Sequence, residues 1–386
     1  MNKEIKTIAK PYQICTRCVM DTTDPNITFD ENGFCNHCTQ AIKKMKLPPY
    51  ALSPKEKEKA LNNLILEIIK SGKGKKYDCV IGLSGGVDST YVAFLVKKLG
   101  LRPLAVHLDN NWNSQIAEQN INNICKTLEI EETRVNINWE EFKNLQLAFL
   151  RASTPDSEIP SDNCICALKW DMAKKHNIKY ILTGANLSSE SILPNEWSQG
   201  HLDDKYIKTI YKTFGNKKRL KIRIISYWEK LLYKKIYKIN EIATLNYIDY
   251  DREKVKNIIK KELNWQDYGR KHGESIYTRI VQELILPYKF GYDKRKAHYS
   301  SQIVAGQITR EEAINFLSEP LYINEQDKIN DIRILCERLG ITMDEFNKIF
   351  ETTAKSIKNY KNANNTLIFK IIMFARFLKS KLIKKI

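Results

Sequence analysis

From residue 77 onward, short apolar runs alternate with longer stretches of helical period, and that rhythm predicts a parallel sheet flanked by helices on both faces. Asp78-Cys79-Val80-Ile81-Gly82-Leu83 reads as a first strand, followed by a helix over 90–99 that stops at Gly100. A second strand is expected over 103–108, a helix over 114–128, a third strand over 134–137 and a helix over 140–151. A loop carrying Cys164 and Cys166 then leads into a helix through His176. The fourth strand, Lys179-Tyr180-Ile181-Leu182, ends in Thr183-Gly184-Ala185-Asn186. Ligands of such sheets bind at the carboxyl ends of the strands. Ahead of the sheet, residues 54–70 set Leu61, Leu64, Ile65 and Ile68 on one helical face. Beyond residue 205 the pattern is mainly helical and basic, with nine Lys/Arg against one Glu over 217–238.

The 386 residues suffice for two or three domains. No apolar run approaches membrane-spanning length, since 371–375 is flanked by Lys370 and Arg376. Residues 1–15 lack the apolar stretch of a secretory leader. A soluble cytoplasmic protein without stable membrane insertion is the expectation. The formal charge of +18 suits anionic partners such as ATP or acidic sugars. A basic surface without a single partner is the plainer reading, because Lys, Asn and Ile are abundant throughout.

Nine cysteines change this picture. Cys15-x2-Cys18 and Cys35-x2-Cys38 have the spacing of a four-thiolate zinc ribbon, with Asn32-Gly33 as a tight turn between them. Four thiolates leave no open position, so the zinc would be structural, with His37 as a substitute ligand the weaker option. Cys164 and Cys166 are ambiguous: a structural role or a place in the substrate pocket is favoured over carriage of sulfur.

Between the first strand and its helix lies Ser84-Gly85-Gly86-Val87-Asp88-Ser89. Its glycines let backbone amides approach phosphate oxygens, and the helix start adds a positive dipole. Ser84 and Ser89 add hydroxyl donors, and Asp88 suits Mg²⁺. The Lys of a Walker loop is missing. A further constellation runs from 265 to 312, mixing aromatics, glycines and varied polar groups. There Lys271, Arg279, Lys289, Lys294 and Arg295 are candidate phosphate or substrate cations, and Glu274 or His272 a candidate proton relay. The bland alternative is a charged surface helix.

The Ser84–Ser89 loop resembles that of the PP-loop ATP pyrophosphatases, which implies ATP cleaved between its α- and β-phosphates with adenylation of the acceptor. The resemblance implies that His107, Leu108 and Asp109 seat the adenine, and that Thr183, Gly184 and Asn186 lie near the nucleotide. With the cysteine pairs and the segment Lys271-His272-Gly273-Glu274-Ser275, Thr278-Arg279 and Lys289 to Arg295, residues 12–320 resemble the N-acetyl sugar amidotransferases of pseudaminic acid and lipopolysaccharide O-antigen biosynthesis. The fold implied is an α/β, doubly wound, adenine nucleotide alpha hydrolase-like sheet. A zinc-ribbon module (1–48) would precede the α/β domain (49–205), and a helical basic region (206–386) would follow. The activity implied is conversion of a sugar acetamido group to an acetamidino group, on a nonulosonic acid or a nucleotide-linked sugar. ATP, Mg²⁺ and structural Zn²⁺ would be the cofactors. Ammonia would come from a separate glutaminase subunit or from solution. A homodimer is admissible, and no nucleic-acid partner is expected. The competing enzyme reading is a tRNA-modifying PP-loop protein.

Overall fold

The structure, a computed structural model, describes residues 11–216, 219–269, 273–322 and 324–363. Lys271, His272 and the basic stretch 366–386 lie outside the described residues.

The four expected strands form as β1 (Cys79–Gly82), β2 (Pro103–Asp109), β3 (Glu131–Asn136) and β4 (Tyr180–Thr183). A fifth, β5 (Asn240–Ala243), comes from the region read as helical. It is four residues long and lacks an apolar run, so only its pairing with Tyr180–Thr183 makes it a strand. All ladders are parallel and the order is β3-β2-β1-β4-β5. The chain runs outward from β1 to β3 and returns to pair β4 with β1, so the connections diverge at the carboxyl ends of those two strands.

Strand side chains alternate between two cores, as a two-residue period requires. Val80, Leu104, Val106 and Ile181 face one core, with α5 (Trp139–Ala152) and α6 (Ile159–Lys175). Cys79, Ile81, Ala105 and Leu182 face the other. That second core is covered by α2 (Pro54–Ser71), α3 (Val87–Lys98), α4 (Gln115–Leu128) and α10 (Arg252–Leu263). Helix α3 begins at Val87 rather than Thr90, because Gly86 already serves as its N-cap. Short α7 (Leu187–Glu190), then α8 (Asp204–Phe214) and α9 (Tyr227–Lys235), lie between β4 and β5.

Four cysteines and α1 (Asn36–Met45) make a small module joined by isolated bridges at Ile14–Asp21 and Phe29–Cys35. Past α10 come α11 (Ile276–Ile280), a π-helical segment Val281–Phe290, α12 (Lys294–Val304), α13 (Arg310–Ser318), α14 (Glu325–Leu339) and α15 (Met343–Glu351). Among the described residues, no helix is long and apolar enough to cross a membrane.

Candidate functional site: a phosphate loop opening on a deep cleft

The loop after β1 is shaped by its neighbours. Gly85 has φ +75°, and a Cβ there would stand 2.5 Å from the Ala117 carbonyl oxygen, so no side chain fits. Its own carbonyl accepts from Trp265 Nε1 at 2.8 Å and from Asn120 Nδ2. The Ser84 and Ser89 hydroxyls are 3.1 Å apart, and Ser89 Oγ also donates to the Gly86 carbonyl. The Val87 amide donates to the Tyr268 hydroxyl, and Val87 itself opens α3, whose positive end faces the small pocket above the loop. Gly184 passes so close to the loop that a Cβ there would lie 2.8 Å from Asp88 Cβ. The two glycine-containing strand ends of β1 and β4 therefore meet, as the order of the sheet requires.

Asp88, Arg252, Tyr268 and Glu274 ring this pocket. Tyr250 donates to Asp88, and burial first, then the Asp88 charge, pushes the Tyr250 phenol up, which keeps it the donor. Burial works against the Arg252 charge, yet Asp88 and Tyr268 beside it hold its proton more firmly. Arg252 Nε is buried without a hydrogen-bond partner. Arg252 carried no signal in the sequence, being one basic residue among many at a helix start.

Ser84 and Glu274 also border a much larger cleft of about 670 Å³ above the carboxyl edge of the sheet. Its apolar lining comes from Leu83, Val106 and Leu108 at the strand ends and from Ile165, farther along the sequence, which suits contact with a planar base. His107 lines it with both ring nitrogens engaged: Nδ1 donates to the Leu83 carbonyl at 2.7 Å, and Nε2 accepts from Asn113 at 2.9 Å. Thr183 and Gly184 line it too. Asp109 instead accepts from the Asn111 amide, and Asn186 caps α7 through the Ser189 amide; neither side chain is part of the lining.

Helix α6 forms another wall, with Glu158 just ahead of it and Asp162, Ile165 and Lys169 along one stripe. Cys164 and Cys166, expected on a loop, lie in this helix and turn away into the core at 4% and 9% exposure. Burial pushes the Cys164 thiol up to about 12, which makes it a poor nucleophile. Beneath the wall, Asp156 accepts from Ser198 at 2.6 Å, and burial pushes its carboxyl up to about 6. Glu158 accepts from Lys294 at 3.3 Å and from Gln282 at 3.2 Å. Burial opposes the Lys294 charge, but Glu158, Asp156 and Asp162 outweigh it and raise its pKa.

Among the described residues, the other candidate cations, Arg279, Lys289 and Arg295, are not part of the cleft lining. Lys289 Nζ donates to the Ile349, Phe350 and Thr352 carbonyls, closing the end of α15. Arg279 pairs with buried Asp331 on α14. Arg295 holds Asp293 and donates to the carbonyls of Leu317 and Glu319 at the end of α13. Polar neighbours in sequence make each look like a site cation, and each ties helices together.

The Sγ atoms of Cys15, Cys18, Cys35 and Cys38 all lie within 4.8 Å of one another and are buried. Separations of 3.8 Å for Cys15–Cys38 and 3.6 Å for Cys18–Cys35 match the roughly 3.8 Å edge of a tetrahedron with about 2.3 Å metal–sulfur bonds. Amides of Cys18, Cys35 and Cys38 point at the sulfurs, as they would at thiolates. The donor set fits a zinc ion.

Residues 59–217 match the NAD synthase family. Residues 274–376 match the C-terminal domain family of WbpG-like lipopolysaccharide biosynthesis proteins. An uncharacterized protein of Methanocaldococcus jannaschii is 30% identical over 176 residues, 45% of this chain and 59% of that protein. A tRNA-specific 2-thiouridylase of Fusobacterium nucleatum is 30% identical over 118 residues, 29% of this chain and 34% of that enzyme. The chain therefore spans 59% and 34% of the lengths of these curated relatives. NMN synthetase from Francisella tularensis aligns with 17% identity and a TM-score of 0.33, over 79% of this chain and 98% of that one. The parallel sheet, the loop and the NAD synthase match together give residues 59–217 a PP-loop-type α/β domain. Residues 274–376 in turn are similar to the C-terminal domain of WbpG-like lipopolysaccharide biosynthesis proteins.

Proposed function

We propose that the chain is an ATP-dependent amidotransferase that converts the acetamido group of an N-acetyl sugar into an acetamidino group. The observation that carries the reading is the shared cleft: the phosphate loop opens on one side, and Glu274, Thr278, Gln282, Lys294 and His298 of the WbpG-like part line the other. An acceptor held by the C-terminal part would thus face the nucleotide. The family of that part supports an acceptor in surface polysaccharide synthesis.

In this reading the loop amides, the Ser84 and Ser89 hydroxyls and Arg252 bind the phosphates of ATP. Asp88 and Glu274, the carboxylates at the loop, would hold Mg²⁺, which neutralises phosphate charge when bound. The acetamido oxygen attacks the α-phosphorus, the bond to the bridging oxygen breaks, and pyrophosphate leaves. The resulting imidate carries AMP as its leaving group. Ammonia adds to its carbon, AMP departs with the former amide oxygen, and the proton lost by nitrogen passes to a cleft carboxylate such as Glu274 or Asp162. Zinc held by the four cysteines has a structural role, and ammonia is delivered by a glutaminase partner or taken from solution.

A tRNA-modifying role is the second reading, supported by the thiouridylase relative. The inward-facing Cys164 and Cys166 leave sulfur transfer without an obvious carrier in the cleft.

ATP:pyrophosphate exchange separates the two. Stimulation by N-acetylated nonulosonates or UDP-N-acetyl sugars, and not by tRNA, is expected. Exchange driven by tRNA alone would replace this reading with the second.

A further inference from the structure

Helix α12 borders both the cleft and the four-cysteine module. Lys294 and His298, one turn apart, line the cleft. Ala297, Ser300 and Ser301 are buried beside them, and Ala297 shares a buried cluster with all four module cysteines, Ile192 and Trp197. Three polar contacts join α12 and the start of α13 to the module across 275 to 295 residues of sequence. The Val19 amide donates to Ser300 Oγ at 3.2 Å, and Lys296 pairs with the fully buried Asp21. The single Nε–H of Arg310 is shared between the Cys15 carbonyl at 3.2 Å and the Cys18 carbonyl at 3.1 Å.

That last contact is the informative one. The two carbonyls belong to the two ligand positions of one knuckle, and they converge on one donor because the knuckle is closed. Arg310 therefore contacts the module in the conformation that brings its sulfurs together. The segment after α7 is held the same way: Ile192 donates its amide to Ser301 Oγ at 3.0 Å, and Trp197 stacks on Tyr292 at 5.3 Å. Ile192, Leu193 and Ser198 of that segment line the cleft.

We propose that Arg310, Ser300 and Lys296 are positioning residues that clamp the closed four-cysteine module to α12, so that the module sets where Lys294 and His298 stand in the cleft. A module this small depends on its metal for much of its folding free energy. Its opening would release both the α12 wall and the 191–198 wall. The inference concerns the shape of the cleft and holds for whichever acceptor the cleft takes.

Hydrogen exchange read by mass spectrometry tests it on the full chain, as purified, after chelation, and as Arg310→Ala and Arg310→Lys with the cysteines intact. Chelation and Arg310→Ala should each speed exchange over 293–305 and 191–199 by roughly tenfold or more, while 79–98 stays as in the wild type. Arg310→Lys, which can still reach one carbonyl, should fall between, and Arg310→Ala should retain wild-type zinc. If chelation unfolds the whole chain, zinc-loaded Arg310→Ala still decides. Unchanged exchange over 293–305 in that variant overturns the proposal. With an acceptor in hand, Arg310→Ala should raise the acceptor KM while ATP affinity is kept. Failure of every sugar to react would remove the amidotransferase reading and leave the exchange result standing.

Discussion

The Tyr250 hydroxyl donates a hydrogen bond to the Asp88 carboxylate across 162 residues of sequence. The contact fixes the acid of the phosphate loop from a segment beyond β5, and Arg252, two residues further on, borders the same pocket. Loop chemistry in this protein is thus supported by the far side of the sheet.

Asp88 is placed to hold the cation of ATP, so Asp88→Asn should lower pyrophosphate release by on the order of a hundredfold or more with the fold intact. Tyr250→Phe keeps the ring and loses only the tether, and a several-fold loss is expected. Pyrophosphate release and circular dichroism on the same samples check both. Full activity in Asp88→Asn would remove Asp88 from the mechanism.

Arg252 supplies a buried cation at the loop. Charge-assisted hydrogen bonds contribute about 1.5–3 kcal/mol, so Arg252→Ala should raise the ATP KM roughly ten- to hundredfold. Arg252→Lys should recover part of that loss. Isothermal titration with ATP and Mg²⁺ is the direct measurement, and unchanged affinity would rule out phosphate contact.

Lys289 and Arg279 should behave as structural residues. Arg279→Met leaves Asp331, only 4% exposed, with its charge uncompensated, at a cost of about 3–5 kcal/mol. Lys289→Ala removes the donor shared by three carbonyls and should also lower the melting temperature. Neither variant should change turnover per folded molecule. A loss of turnover at unchanged stability would return either residue to the catalytic set.

Asp156 gives the pH dependence a direction. Its folded carboxyl is raised to about 6 by burial, above its unfolded value, so the folded state binds the proton more tightly. Stability contributed by this group is complete below the unfolded pKa and is lost as pH rises to about 6, by about 3 kcal/mol at most. Asp156→Asn, which can still accept from the Glu158 amide, should therefore flatten the fall in melting temperature over that interval. An identical pH profile in the variant would show that the carboxyl titrates normally.

The features legible in sequence are those whose chemistry is contiguous. Ser84 to Ser89 form one turn between a strand and a helix, and local backbone demands make its glycines visible. Cys15, Cys18, Cys35 and Cys38 are visible for a similar reason, since each knuckle closes within four residues. The strand–helix rhythm shows β1, β2 and β4 because each buries an apolar run; β3 buries none, and its first residues, Glu131 to Thr133, are strand only through their pairing with Leu104 to Val106. β5 has no such run, and its identity comes from the edge of β4 that it completes.

Whether a polar residue serves the cleft or the scaffold depended on partners far along the chain, so it was decided by tertiary structure alone. Lys289, Lys294 and Arg295 lie within seven residues of one another and look alike in sequence. Lys294 faces Glu158, 136 residues away; Lys289 closes a helix about 60 residues later; Arg295 closes α13. A strand's period or a turn's glycine is imposed by local backbone sterics. The role of a long charged side chain is imposed by whichever buried carboxylate or helix end the fold brings within its reach.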